Sequence, residues 1–174
     1  FNSLEFFIFF PVVTLLFYLL PHAYRWVMLL FASCYFYMSF IPEYILVLFA
    51  TIIIDYLAGI LLVSSTRYRM TWLVISVVAT CLVLIIFKYY NVFTQTVIEL
   101  LGNFSIKYDA PYSALALPIG LSFHTFQSLS YVIEVYRGRQ NAERHFGIYA
   151  LYVMFYPQLV TGPIERPYNL LNQL

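Results

Sequence analysis

The sequence predicts an all-α, polytopic transmembrane protein of about six membrane helices with one further helix lying at the interface. Three observations predict it. Charged residues make up 10% of the 174 and hydrophobic ones 63%, with a mean hydropathy of +0.82, whereas an ordinary soluble domain carries ~25% charged residues. Apolar stretches long enough for a ~30 Å hydrocarbon core recur along most of the chain. Short segments rich in Pro, Gly, Ser and Arg separate them, and those residues break helices or prefer water.

The first stretch, 4–20, ends before Pro21. It has no basic leader, and Pro21, His22 and Tyr24 follow it in place of a small-residue cleavage site, so it reads as a retained span and not a signal peptide. The second and third spans, 25–40 and 44–63, are joined by Ile41, Pro42 and Glu43, which makes them an antiparallel hairpin. A polar loop, 64–69, leads to the fourth span, 71–87. From 91 to 112 the helical spacing of Phe93, Val97, Leu100 and Leu101 continues over too short a run to cross a bilayer, which predicts an interfacial helix and then an exposed loop. The fifth span, 117–135, is loosened at its head by Pro118 and Gly120. A loop at 138–144 precedes the sixth, 146–160, after which Gly162 and Pro163 turn the chain. Because the chain opens at Phe1 and stops at Leu174 just after that turn, it is expected to be part of a longer protein.

Charge placement gives an orientation. Arg25, then Arg67 and Arg69, then Arg137, Arg139 and Arg144 follow the first, third and fifth spans, whereas the other side holds Lys88, Lys107 and Arg166. The positive-inside rule then puts the N-terminus outside and the Arg-bearing loops in the cytoplasm. The net charge of +1 includes no basic block, and the 21% aromatic residues sit in apolar runs, which argues against a nucleic-acid partner. Cys34 and Cys81 lie inside apolar stretches with no metal-ligand spacing, so they read as small buried hydrophobes and no metal site is expected. No internal repeat supports an inverted-repeat transporter.

Ionisable groups within a span cost ~2.5 kcal/mol or more and need a partner or an aqueous cavity. Asp55, inside an apolar run, calls for a cation or for hydroxyl donors from a neighbouring helix; a catalytic carboxylate is the alternative. In the fifth span Gly120, His124, Gln127, Tyr131 and Glu134 are spaced four, three, four and three residues apart and share one helix face. Lipid does not tolerate such a stripe, so it faces either other helices or a hydrated substrate passage. His124 is a candidate general base, although a lone intramembrane histidine is more often hydrogen-bonded to a neighbour, and no nucleophile elbow accompanies it. Near the end, Arg166 pairs with Glu165 or binds an anionic group, and Gly162 and Pro163 are read as structural.

Several strings then point to a family: Leu117-Pro118-Ile119-Gly120-Leu121-Ser122-Phe123-His124-Thr125-Phe126-Gln127, Val135-Tyr136-Arg137-Gly138, Phe155-Tyr156-Pro157-Gln158 and Gly162-Pro163-Ile164, with Phe87-Lys88-Tyr89-Tyr90-Asn91 before them. Their order and spacing resemble the membrane-bound O-acyltransferase superfamily, in the branch that contains bacterial alginate O-acetyltransferases and the D-alanyl transferases of teichoic acid. The resemblance covers essentially the whole chain. It implies that residues 1–174 are the N-terminal part of a single transmembrane domain whose helices ring a thin centre, in an enzyme of the bacterial inner membrane that moves an acyl group onto a hydroxyl. The family's catalytic histidine belongs to a later region, so none is assigned here and His124 does not inherit that role. Acetyl-CoA as ultimate donor, a periplasmic acetyltransferase and a polysaccharide acceptor such as alginate are implied by the resemblance alone. The competing readings are D-alanyl transfer and a segment of a transporter or channel, which would need polar faces on several spans.

Overall fold

A computed structural model describes residues 4–39, 42, 44–65, 67–103, 120–158 and 167–171. These form seven helices and no strand: α1 (Leu4–Leu19), α2 (His22–Met38), α3 (Tyr44–Ser64), α4 (Arg69–Asn103), α5 (Leu121–Tyr136), α6 (Phe146–Met154) and α7 (Pro167–Leu171). The all-α class read from the sequence holds.

Proline sets the first boundary. Pro21 adopts an extended conformation, φ −62° and ψ 149°, and cannot donate to the α1 ladder. The carbonyl of Leu20, just past the end of α1, accepts from Arg25 Nε at 3.1 Å, so α2 caps the helix before it. Pro11 is accommodated inside α1. At the other end of α2, Ser39 closes the helix by returning its N–H and its hydroxyl to Tyr35 O.

The predicted interfacial helix is not a separate element. α4 runs unbroken for 35 residues, ~52 Å at ~1.5 Å per residue, beyond the thickness of a hydrocarbon core. No Gly or Pro occurs between Arg69 and Leu101, and Thr94 and Thr96 turn their hydroxyls back onto Tyr90 O and Val92 O, so nothing interrupts the ladder near Asn91. Residues 104–112 of that predicted segment lie outside the described residues.

The sixth element is shorter than the expected 146–160. Pro157 restricts Tyr156 to extended geometry, and its ring would meet the carbonyl of Val153 if the helix continued. α6 therefore stops at Met154 after 9 residues, ~14 Å, and a turn at Phe155–Gln158 follows, closed by Gln158 N on Phe155 O at 3.0 Å. α5 begins at Leu121; the predicted start at 117–119 lies outside the described residues. Gly120 precedes α5 with φ 81°, a backbone conformation suited to glycine.

By length and composition, Tyr44–Ser64 and Arg69–Tyr90 are the described helices able to cross a membrane, and Phe6–Leu19 is a shorter apolar helix. Two of the described helices thus reach spanning length and composition, and the count of about six spans expected from hydropathy is not confirmed by them. α3, α4 and α5 pack on one another, while α6 sits chiefly against α2. Leu48, Ile52, Leu62, Tyr131, Tyr149, Tyr152 and Met154 are buried at the centre. On α4, Val74, Val78 and Leu82 recur one turn apart and point outward, an apolar face that suits lipid and not water.

Candidate functional site

Stopping α6 at Met154 leaves its last carbonyls without helical partners, and an unpaired buried carbonyl costs ~1–3 kcal/mol. The polar face of α5 supplies the donors. His124 Nδ1 lies 2.7 Å from Val153 O. A carbonyl can only accept, so Nδ1 carries the proton and the other ring nitrogen, Nε2, holds the lone pair. Gln127 Nε2 donates to Tyr152 O at 2.7 Å and to Gln158 Oε1 at 3.2 Å. In return the Tyr152 hydroxyl reaches Gln127 O at 3.5 Å. From α2, Ser33 accepts from Tyr156 N at 3.2 Å and gives its own proton to Leu29 O. A helix ending in the apolar interior is thereby tied to two others.

His124, Gln127 and Tyr131 share one α5 face, as their spacing requires, and are buried against α6, whereas Gly120 stands before the helix in a left-handed conformation. Tyr131 accepts from Glu143 N at 2.9 Å, which anchors the loop before α6, and its ring centroid lies 4.6 Å from that of Tyr149. It also lies against Gly59 of α3, where an added Cβ would come within 2.8 Å of Tyr131 Cε1. Glu134 leaves the seam. Its side chain is 23% exposed and stands 3.8 Å from Arg139 beyond the end of α5.

His124 Nε2, Gln127 Oε1 and the Tyr37 hydroxyl are buried with no hydrogen-bond partner among the described residues. The Tyr37 and His124 rings meet edge to face at 6.0 Å. An acceptor nitrogen, an amide oxygen and a hydroxyl are thus left unpaired along the contacts of α5 with α2 and α6, and such groups can each orient a polar molecule or a proton.

Asp55 lies between helices and, among the described residues, meets hydroxyls and no cation. Its Oδ1 accepts from Ser76 Oγ at 2.5 Å and Thr80 Oγ1 at 2.9 Å, both on α4 and one turn apart. All three residues are buried. Sequence reasoning missed Ser76 and Thr80; their spacing of four within an apolar helix is the signal that would have found them. It also treated Arg69 only as a topological charge. Arg69 Nη2 donates to Tyr136 O at 2.8 Å, so the start of α4 closes the C-terminal end of α5, where the helix dipole favours a cation. Gly162, Pro163 and Arg166 lie outside the described residues. Among the described residues no three His, Cys, Asp or Glu side chains gather as a metal-holding group, and Cys34 and Cys81 are unpaired thiols.

Comparison with known proteins extends the motif reading. The chain is 34% identical over 172 residues to the probable alginate O-acetylase of Pseudomonas aeruginosa, an alignment covering 96% of this chain and 32% of that protein. The chain is a relative of the alginate O-acetylases. Against the protein of the same name from Azotobacter vinelandii, identity is 33%, with 96% of this chain and 34% of that protein covered. The peptidoglycan O-acetyltransferase of Helicobacter pylori is 27% identical, over 83% of this chain and 32% of its own length. The chain thus spans about a third of the length of these O-acetylase relatives. No family model matches the chain, and no solved structure does. The resemblance to membrane-bound O-acyltransferases read from the motifs is borne out by these O-acetylase relatives, for a stretch of that length.

Proposed function

We propose that the protein to which this chain belongs is a multi-pass inner-membrane enzyme that transfers an acetyl group to hydroxyls of an exported polysaccharide, and that residues 1–174 form one side of its helical wall. The observation that carries this reading is the 34% identity to an alginate O-acetylase over 96% of the chain. Alginate is the favoured acceptor, because the first relatives found bear that name, with the glycan of peptidoglycan as the other candidate. Acetyl-CoA is the ultimate donor in this scheme, and a periplasmic acetyltransferase completes the modification.

The proposed orientation has the N-terminus outside and the Arg-bearing end in the cytoplasm. Two contacts support grouping those arginines at one end: Arg69 on the last carbonyl of α5, and Trp26 against His145 with ring centroids 4.7 Å apart. They draw Arg25, Arg67, Arg69, Arg137, Arg139 and Arg144 toward the same face. In this scheme the α5 face holds α6 in place, and the unpaired Nε2, Oε1 and hydroxyl groups border the route of the acyl group. His124 acts as a positioning residue.

The test is the base-labile O-acetyl content of exported polysaccharide in the native host, compared between wild type, a deletion of the gene for the full-length protein, and the complemented deletion. Loss in the deletion with recovery on complementation is expected. Unchanged acetylation in the deletion would overturn the reading and move D-alanyl transfer or transport ahead of it.

A further inference from the structure

A groove of 440 Å³ runs between α1, α2 and the turn after α6. Its volume falls within the ~300–1,000 Å³ of small-molecule sites. Its chemistry is two-ended. The lining is largely apolar, with side chains such as Val13, Leu29 and Phe155; of the hydroxyls that line it, on Thr14, Tyr18 and Tyr156, that of Thr14 is spent on Phe10 O at 2.8 Å. At the mouth stand His22 and Arg25, and no acidic side chain lines the groove among the described residues.

Arg25 is held in place. Its Nε donates to Leu20 O at 3.1 Å, and its guanidinium carbon sits 4.8 Å over the Phe17 ring. These contacts fix the plane of the group without using its terminal nitrogens, and Arg25 makes no ion pair among the described residues. A half-buried, oriented, uncompensated guanidinium above an apolar slot is complementary to a phosphate carrying a hydrocarbon tail.

We infer that this groove binds an anionic phospholipid, with an acyl chain along the floor and the phosphate on Arg25. The inference rests on the membrane orientation proposed above, which puts Arg25 at the cytoplasmic leaflet, where anionic lipids are concentrated. Arg25 would contribute about a fivefold preference for an anionic over a zwitterionic headgroup, the usual worth of one basic residue at that surface.

The experiment uses the full-length protein purified in mild detergent and exposed to equal amounts of phosphatidylglycerol and phosphatidylcholine, with retained lipid counted by native mass spectrometry. Wild type should retain phosphatidylglycerol about fivefold better. Arg25→Gln should erase the preference, and Leu29→Trp, which fills the floor, should abolish retention of both lipids. Should Leu29→Trp fail to fold, as judged by gel filtration, Val13→Phe takes its place. A wild type without preference, an Arg25→Gln variant that keeps it, or a filled groove that still holds lipid would each overturn the assignment. Alkaline extraction of membranes from the same cells keeps the two ideas apart, because release of the protein by alkali would refute the membrane reading, whereas firm retention without lipid preference refutes only the groove.

Discussion

Replacing His124 by alanine should destabilise the α5–α6 junction strongly, and replacing it by asparagine should not. The imidazole is 1% exposed and donates through Nδ1 to Val153 O at 2.7 Å. No backbone N–H can take over that carbonyl, because the position four residues later is Pro157. Alanine therefore leaves a buried acceptor unpaired, at ~1–3 kcal/mol. It also opens a cavity where a ring was packed; deletions of buried aromatic side chains cost ~3–5 kcal/mol in all. Taking the smaller end of each gives a loss of ~4 kcal/mol for the alanine variant. Asparagine keeps an N–H donor close to the Nδ1 position and about half the volume, so its cost should be nearer ~1–2 kcal/mol. The assay is thermal unfolding of the full-length protein in detergent, followed by gel filtration of the surviving monomer, with acetyl transfer measured beside it. The expected order is wild type, then asparagine, then alanine far below, with transfer surviving in the asparagine variant. An alanine variant as stable as wild type, or an asparagine variant that falls equally far, would refute the hydrogen-bond argument. An asparagine variant that is stable yet inactive would refute the positioning role and make Nε2 the working atom.

Three other perturbations follow from the packing. Asp55→Ala removes the acceptor for the Ser76 and Thr80 hydroxyls and should cost ~1.5–3 kcal/mol, whereas Asp55→Asn, which keeps a carbonyl oxygen there, should cost less than half as much in the same unfolding assay. Gly59→Ala forces Tyr131 aside, since the new Cβ would lie 2.8 Å from Cε1, and should cost ~1–3 kcal/mol; Tyr131→Leu in the same chain should recover part of that loss, and purely additive losses would refute the steric account. Arg69→Gln withdraws a cation from the Tyr136 carbonyl and should raise amide hydrogen exchange over the last turn of α5 about tenfold or more, with the first turn unchanged.

How far the sequence foretold this structure depends on where the controlling contact lies. Local signals work: Pro21 divides α1 from α2, and the three-four spacing in α5 gathers His124, Gln127 and Tyr131 on one buried face. Signals that need a partner were ambiguous. The composition of the α5 stripe suits a passage or a helix seam, and only the truncation of α6 reveals why donors stand opposite Tyr152 O and Val153 O. Hydropathy overstates the length of α6 because it carries on through Phe155 and Tyr156, although Pro157 decides the end of the helix. The separate interfacial helix fails for the converse reason: a drop in hydropathy after Phe87 marks where a helix leaves lipid and does not require that it end. Asp55 was recognised as needing a partner, but Ser76 and Thr80 belong to another helix, and sequence spacing alone does not say which helices meet.

The measurement that bears most directly on the central claim is acetyl transfer itself. Inverted membrane vesicles from cells with and without the full-length protein would receive acetyl-CoA labelled in its acetyl group together with the polysaccharide acceptor. The account predicts base-labile label in the polysaccharide only where the protein is present, with Arg69→Gln less active and Asp55→Asn close to wild type. Label that appears equally in both vesicle preparations, or protein-dependent incorporation of D-alanine with no acetyl, would contradict it.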